Sequence, residues 1–89
     1  MLNDIKKILG INNTQFDTIL QMLIDAGKKD LIEAGIVSTK VVESDALIYS
    51  ALISYVCGMF DTYEYRELSM NTYRLQKDQL RHHIDYIGG

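Results

Sequence analysis

Residues 46–60 read Ala-Leu-Ile-Tyr-Ser-Ala-Leu-Ile-Ser-Tyr-Val-Cys-Gly-Met-Phe, with neither proline nor charge among them. Ala46, Ser50, Ser54 and Gly58 recur every four residues, so a ridge of small side chains runs along a helix whose other faces carry Leu47, Ile48, Leu52, Tyr55, Val56, Met59 and Phe60. A helix apolar nearly all round needs cover nearly all round. It is either the central helix of the protein, or one side of it packs against another subunit. It is too short, and too interrupted by Ser50, Ser54 and Gly58, to supply the roughly 20 apolar residues a bilayer crossing takes, so no membrane residence is expected.

Upstream, Ser44 or Asp45 is placed to cap this helix, behind a polar and β-branched connection at residues 37–43. An earlier helix is expected over residues 14–34, with Asn13 or Thr14 as N-cap and Asp17 in the first turn, where negative charge suits the helix dipole. At about 100° per residue, Phe16, Ile19, Leu20, Leu23, Ile24, Gly27, Leu31 and Ala34 share one arc, and Ala34-Gly35-Ile36 reads as its stop. Gly27 sits in the middle of the apolar arc. Glycine there costs about 1 kcal/mol against alanine, so close approach by another helix is expected. The chain opens with a helix of about two turns carrying Leu2, Ile5, Ile8 and Leu9, with Asn3 and Asp4 as capping residues and Gly10 ending it.

Downstream, residues 61–71 show no clear periodicity and read as an excursion loop rich in tyrosine and charge. A last helix is expected from Ser69 or Asn71 to Ile87, with Tyr73, Leu80, Ile84 and Ile87 on its buried face and Gly88-Gly89 as a frayed end. Arg74, Lys77 and Arg81 form a basic stripe beside that face, and Leu75 and Tyr86, with Gln79 and His82 between them, form a weaker apolar set opposite. The expected fold is all-α: one domain over residues 1–89, built as a small bundle of about four helices.

At 89 residues such a bundle buries a modest fraction of its surface, so contacts with partners matter to its stability. Nine Lys or Arg against twelve Asp or Glu leave a net charge of -3, opposite to the field of a phosphate-binding surface. The single cysteine, Cys57, lies in an apolar run and reads as a small hydrophobe suited to a reducing interior. Residues 1–7 alternate polar and apolar side chains and lack the apolar core of a secretion signal.

Catalysis finds no coherent constellation. His82 and His83, with Asp78 and Asp85 nearby, lack the C-x2-C or H-x3-H type of spacing that gathers three or four metal ligands, so no metal and no cofactor is expected. As nucleophiles, Cys57 and Ser54 would need a base brought from the far end of the last helix, and both read as core. The pairs Asp61 and Glu64, or Glu43 and Asp45, are of the kind found on any wet surface. The more pointed features are Tyr63 and Tyr65, which either anchor a protein interface, as aromatic side chains outside a core do, or fold back onto the domain's own core. Arg74, Lys77 and Arg81, diluted by Asp78 and Asp85, suit pairing across a protein interface better than phosphate contact.

In order and spacing the chain resembles the small head-tail connector proteins (adaptor or head-completion proteins) of long-tailed phages and prophages. The resemblance rests on residues 2–11 (Leu-Asn-Asp-Ile-Lys-Lys-Ile-Leu-Gly-Ile), on Phe16-Asp17-Thr18-Ile19-Leu20 with Leu23-Ile24-Asp25-Ala26, and on the Ala34-Gly35-Ile36 stop. Asp45-Ala46-Leu47-Ile48 leading to Tyr55-Val56 and Phe60-Asp61 completes it, so that it covers about the first two thirds of the chain. It implies a structural, non-enzymatic subunit that forms a ring of about twelve copies on the portal. The implied place is the virion head-tail junction, reached from the host cytoplasm during assembly, where the ring continues the DNA channel. Its partners are its own copies, the portal protein and the next head-completion or tail protein, with DNA only as passing cargo. By the same resemblance Tyr63, Tyr65, Arg66 and Glu67 reach a neighbouring copy, joined by the stripe of Arg74, Lys77 and Arg81, while Leu75, His82 and Tyr86 face the portal or tail side. An acidic subunit suits a channel through which DNA must slide. The competing reading is a small DNA-binding regulator, because residues 8–11 before a capped helix resemble the opening of a helix-turn-helix; the outward Asp, Thr, Gln and Lys of that helix make it a poor reader of bases.

Overall fold

The computed structural model describes residues 1–60 and 63–87, with residues 63 and 64 described by their backbone alone. Four α-helices follow in order: α1 (Leu2–Leu9), α2 (Asp17–Glu33), α3 (Ala46–Phe60) and α4 (Tyr63–Arg81), with a short 3-10 turn at Ser38–Lys40 before α3. The fold is all-α, with no strand among the described residues.

α3 is the central helix. Ile48, Ala51, Leu52 and Val56 are fully buried, and of its large side chains only Leu47 and Met59 are substantially exposed. On one side it meets α2 antiparallel: Phe16 packs edge-on to Phe60 at 5.3 Å, and Gly27 lies under Leu52 and Tyr55. On another it meets α4, again antiparallel, as shown by the pairing of Gly58 with Met70, Tyr55 with Tyr73 and Ser50 with Gln76. The small-residue ridge is therefore the seat of α4. α1 lies along α2 and α3, with Ile5 fully buried among Leu20, Ile24 and Val56, the Tyr49 hydroxyl donating to Asp4, and Lys6 paired to Asp17 at 2.8 Å.

The close approach expected at Gly27 is present. A Cβ there would stand 2.9 Å from Tyr55 Cδ1 and 3.0 Å from Leu52 Cδ2. Gly27→Ala is expected to lower stability by about 1–2 kcal/mol, because overpacking against a ring and a branched side chain outweighs the helix propensity that alanine adds. The midpoint of urea unfolding reads this directly, and a rise in the midpoint would mean that the ring moves aside freely.

The helix stops follow the sequence. Gly10 (φ 73°) and Gly35 (φ 105°) are left-handed, and Ile36 N–H donates to Leu31 O at 3.2 Å while Gly35 N–H donates to Ile32 O at 3.0 Å, the paired bonds of a Schellman ending. Asp45 is the cap of α3, its Oδ1 accepting the N–H groups of Leu47 and Ile48 at 2.9 and 3.1 Å. The other two starts differ from expectation. α1 is capped by Met1 rather than Asn3 or Asp4, and α2 begins after Phe16 rather than at Asn13 or Thr14, because residues 14–17 form a turn that puts the Phe16 ring against Phe60.

Two further corrections concern the C-terminal third. Of the excursion loop expected over residues 61–71, residues 63–71 are helix, since α4 already runs from Tyr63, and Asp61 and Thr62 lie outside the described residues. Arg66, Glu67, Leu68 and Met70 are good helix formers with no glycine or proline among them. Their periodicity escapes notice because Tyr65 and Leu68 face outward. The same helix stops at Arg81 instead of Ile87, and Ile84 and Ile87 are 70% and 44% exposed rather than buried. A longer helix would run past the start of α3 at Ala46 with nothing to cover it. The chain turns instead, Val37 N–H donates to Tyr86 O at 2.7 Å, and Tyr86 enters the core.

Candidate functional site

α4 carries two contrasting surfaces. Its inner face holds Tyr73, 1% exposed, whose ring lies 5.0 Å edge-on from Tyr55 and whose hydroxyl donates to the Asp30 carboxylate. Lys77 Nζ bonds the same carboxylate oxygen at 3.1 Å and stands 5.3 Å above the Tyr73 ring. This cluster ties α2 to α4. Lys77, expected at a partner interface, is thus engaged within its own chain.

The outer face is the candidate site. Tyr65, Leu68, Thr72, Leu75 and Gln79 alternate at spacings of three and four residues, the pattern of a helix seam made to meet another helix. Tyr65 is 58% exposed, Leu68 66% and Leu75 68%. The charged side chains Arg66, Glu67, Arg74, Lys77, Asp78 and Arg81 all lie off the seam on the helix wheel. Beside the seam opens a groove of about 260 Å³ lined by Leu47, Ser50, Gln76, Gln79, Leu80 and His83. Exposed apolar surface without charge, bordered by neutral polar groups, is the composition of an interface centre rather than of a free surface.

The remaining expected site residues fall as follows. Arg66, Glu67, Arg74 and Arg81 are exposed, with Arg74 donating to Asn71 at 3.0 Å. The Tyr63 side chain, like Asp61 and Thr62, lies outside the described residues. Leu75 is on the seam. His82 is exposed, its Nδ1 2.7 Å from Asp78 O, while Asp85 sits near His83 instead, at 3.7 Å. Among the described residues no three His, Cys, Asp or Glu side chains come together as metal ligands. Cys57 is buried. Tyr86 is 9% exposed, and its hydroxyl donates to both carboxylate oxygens of Asp45, at 3.1 and 2.8 Å. It is a tether inside the chain.

Both ties carry a pH signature. Desolvation, and the Asp30 carboxylate it bonds, push the Tyr73 phenol well above the usual tyrosine range, and burial with Asp45 pushes Tyr86 the same way. In the unfolded chain phenols ionise near pH 10. The unfolded state therefore loses its protons first, and stability, complete below about pH 10, falls as pH rises beyond it, by about 1.4 kcal/mol per pH unit for Tyr73 alone. Asp45 behaves oppositely: burial raises it, but the N–H groups of Ile48 and Leu47 and the Tyr86 hydroxyl outweigh burial and hold it below the usual range, so its contribution is complete above about pH 4 and is lost as pH falls below that. Urea midpoints of the wild type and Tyr73→Phe across alkaline pH check the first claim. The variant should lose the steeper part of the decline.

A family model described as Phage connector protein matches residues 1–84. The chain belongs to that family. No curated protein and no solved structure matches it. The family's pattern reaches through α4, past the two thirds of the chain on which the sequence resemblance rests. As a phage connector the chain is a structural protein of a non-enzymatic kind, a virion component that associates with other phage head or tail proteins. No described helix of the connector is long and apolar enough to cross a membrane. The seam on α4 was largely hidden from sequence reasoning. Its signal is the alternation from Tyr65 to Gln79, visible once residues 63–71 are taken as helix rather than loop.

Proposed function

We propose that this connector is a single helical domain, residues 1–89, that docks as a ring on the portal at the head-tail junction and continues the DNA channel toward the tail. A portal of about twelve-fold symmetry sets the expected number of copies. The uncharged, exposed seam of Tyr65, Leu68 and Leu75 carries this reading, because apolar surface of this kind needs a protein partner and offers DNA no phosphate contact. Arg66, Glu67, Arg74 and Arg81 flank the contact between copies, and Leu75 and His82 contribute to the portal or tail side. Lys77 and Tyr86 act through the fold that holds α4 in place.

The test is native mass spectrometry of the chain mixed with purified portal. A discrete ring-bearing complex is expected, and absence of any association at high concentration would defeat the reading. A monomer in isolation is compatible with it, since such a ring can close on the portal as template.

A further inference from the structure

Two rows of exposed charge lie on different helices and are mirror images in sign. On α2, Asp25, Lys29 and Glu33 follow at intervals of four residues and alternate negative, positive, negative. On α4, Arg74, Asp78 and Arg81 follow at intervals of four and three and alternate positive, negative, positive. At a rise of about 1.5 Å per residue the rows are about 12 and 10.5 Å long, a difference that side chains absorb. All six residues are exposed, and among the described residues no ion pair joins one row to the other; the contact between α2 and α4 inside the chain is made by Asp30, Tyr73 and Lys77 instead.

We propose that the rows pair between copies, α2 of one connector lying on α4 of the next. This rests on the ring reading above and names the surfaces that neighbouring copies share. Laid antiparallel, Asp25 meets Arg81, Lys29 meets Asp78 and Glu33 meets Arg74; laid parallel, Asp25 meets Arg74 and Glu33 meets Arg81, with opposite signs again facing each other. The exposed Met22, 65%, lies within the α2 row on the helix wheel, so the charged contact also covers an apolar side chain. The occupant is a second copy because this chain itself carries the complement of each row, while its net charge of -3 would otherwise keep copies apart. A contact between two different faces leaves each copy able to bind again, which is what a ring needs.

Charge reversal tests it. One variant carries Arg74→Glu and Arg81→Glu, the other Asp25→Lys and Glu33→Lys; circular dichroism checks that both fold, as exposed sites should allow. In sedimentation velocity at millimolar concentration the wild type should self-associate, and each variant alone should do so at least about tenfold more weakly. An equimolar mixture of the two should recover association, because each variant then meets the sign it lacks. A wild type that stays monomeric, variants that associate as the wild type does, or a mixture that fails to recover would each overturn the proposal. The ring reading is judged separately: if the wild type binds portal while reversal and mixing have no effect, that reading stands and this contact falls.

Discussion

Leu52→Ala should bring the connector close to unfolding, lowering its stability by about 2–5 kcal/mol and its melting temperature by about 10 °C or more. Leu52 is fully buried in the middle of α3, where its Cδ2 would stand 3.0 Å from a side chain at Gly27. Removing it opens a void that α2 and α4 cannot both close on, because Gly27 already brings α2 to contact distance and Gly58 does the same for α4. Domains of this size have about 5–15 kcal/mol in total. Leu75→Ala provides the contrast: the side chain is 68% exposed, and its loss should change stability by no more than about 0.5 kcal/mol. Thermal melts followed by far-ultraviolet circular dichroism separate the two. Equal losses would mean that the seam belongs to the core.

The second large effect concerns assembly. The double variant Leu68→Asp and Leu75→Asp should keep the melting temperature of the wild type and yet bind portal at least about 30-fold more weakly, the effect of losing one hot spot of about 2 kcal/mol. Carboxylates placed in an uncharged seam must be desolvated without a partner, which adds to the loss of apolar contact. Portal pull-down titrations measure the shift. Unchanged binding with an intact fold would remove the seam from the contact.

Much of this architecture is legible in the residues themselves. The apolar run from Ala46 to Phe60 leaves two readings, a central helix or one packed on another subunit, and α3 is the central helix; both glycine stops and the Asp45 cap are local signals whose geometry depends on few neighbours. Most of the cover that α3 demands comes from its own chain, with Leu47 and Met59 left exposed, and further uncovered apolar surface lies on the outer faces of α2 and α4. The contacts that spacing does not reveal share one cause. Tyr86 and Lys77 look like surface residues by spacing, and what draws them inward, Asp45 and Asp30, lies 41 and 47 residues away in sequence. Periodicity reports which face of a helix is apolar, but not which distant carboxylate a phenol or an ammonium group will find. Similarly, the first turns of α4 were obscured because their apolar residues serve an outward seam rather than the core.

The central position of α3 has a consequence for synthesis on the ribosome. α1 and α2 emerge first and have no floor to lie on until residue 60 is out, and α3 in turn stays uncovered until most of α4 has followed. Nearly the whole polypeptide must leave the exit tunnel before the core around α3 is closed, so arrested nascent chains should remain sensitive to protease until close to the end of α4 and then become resistant.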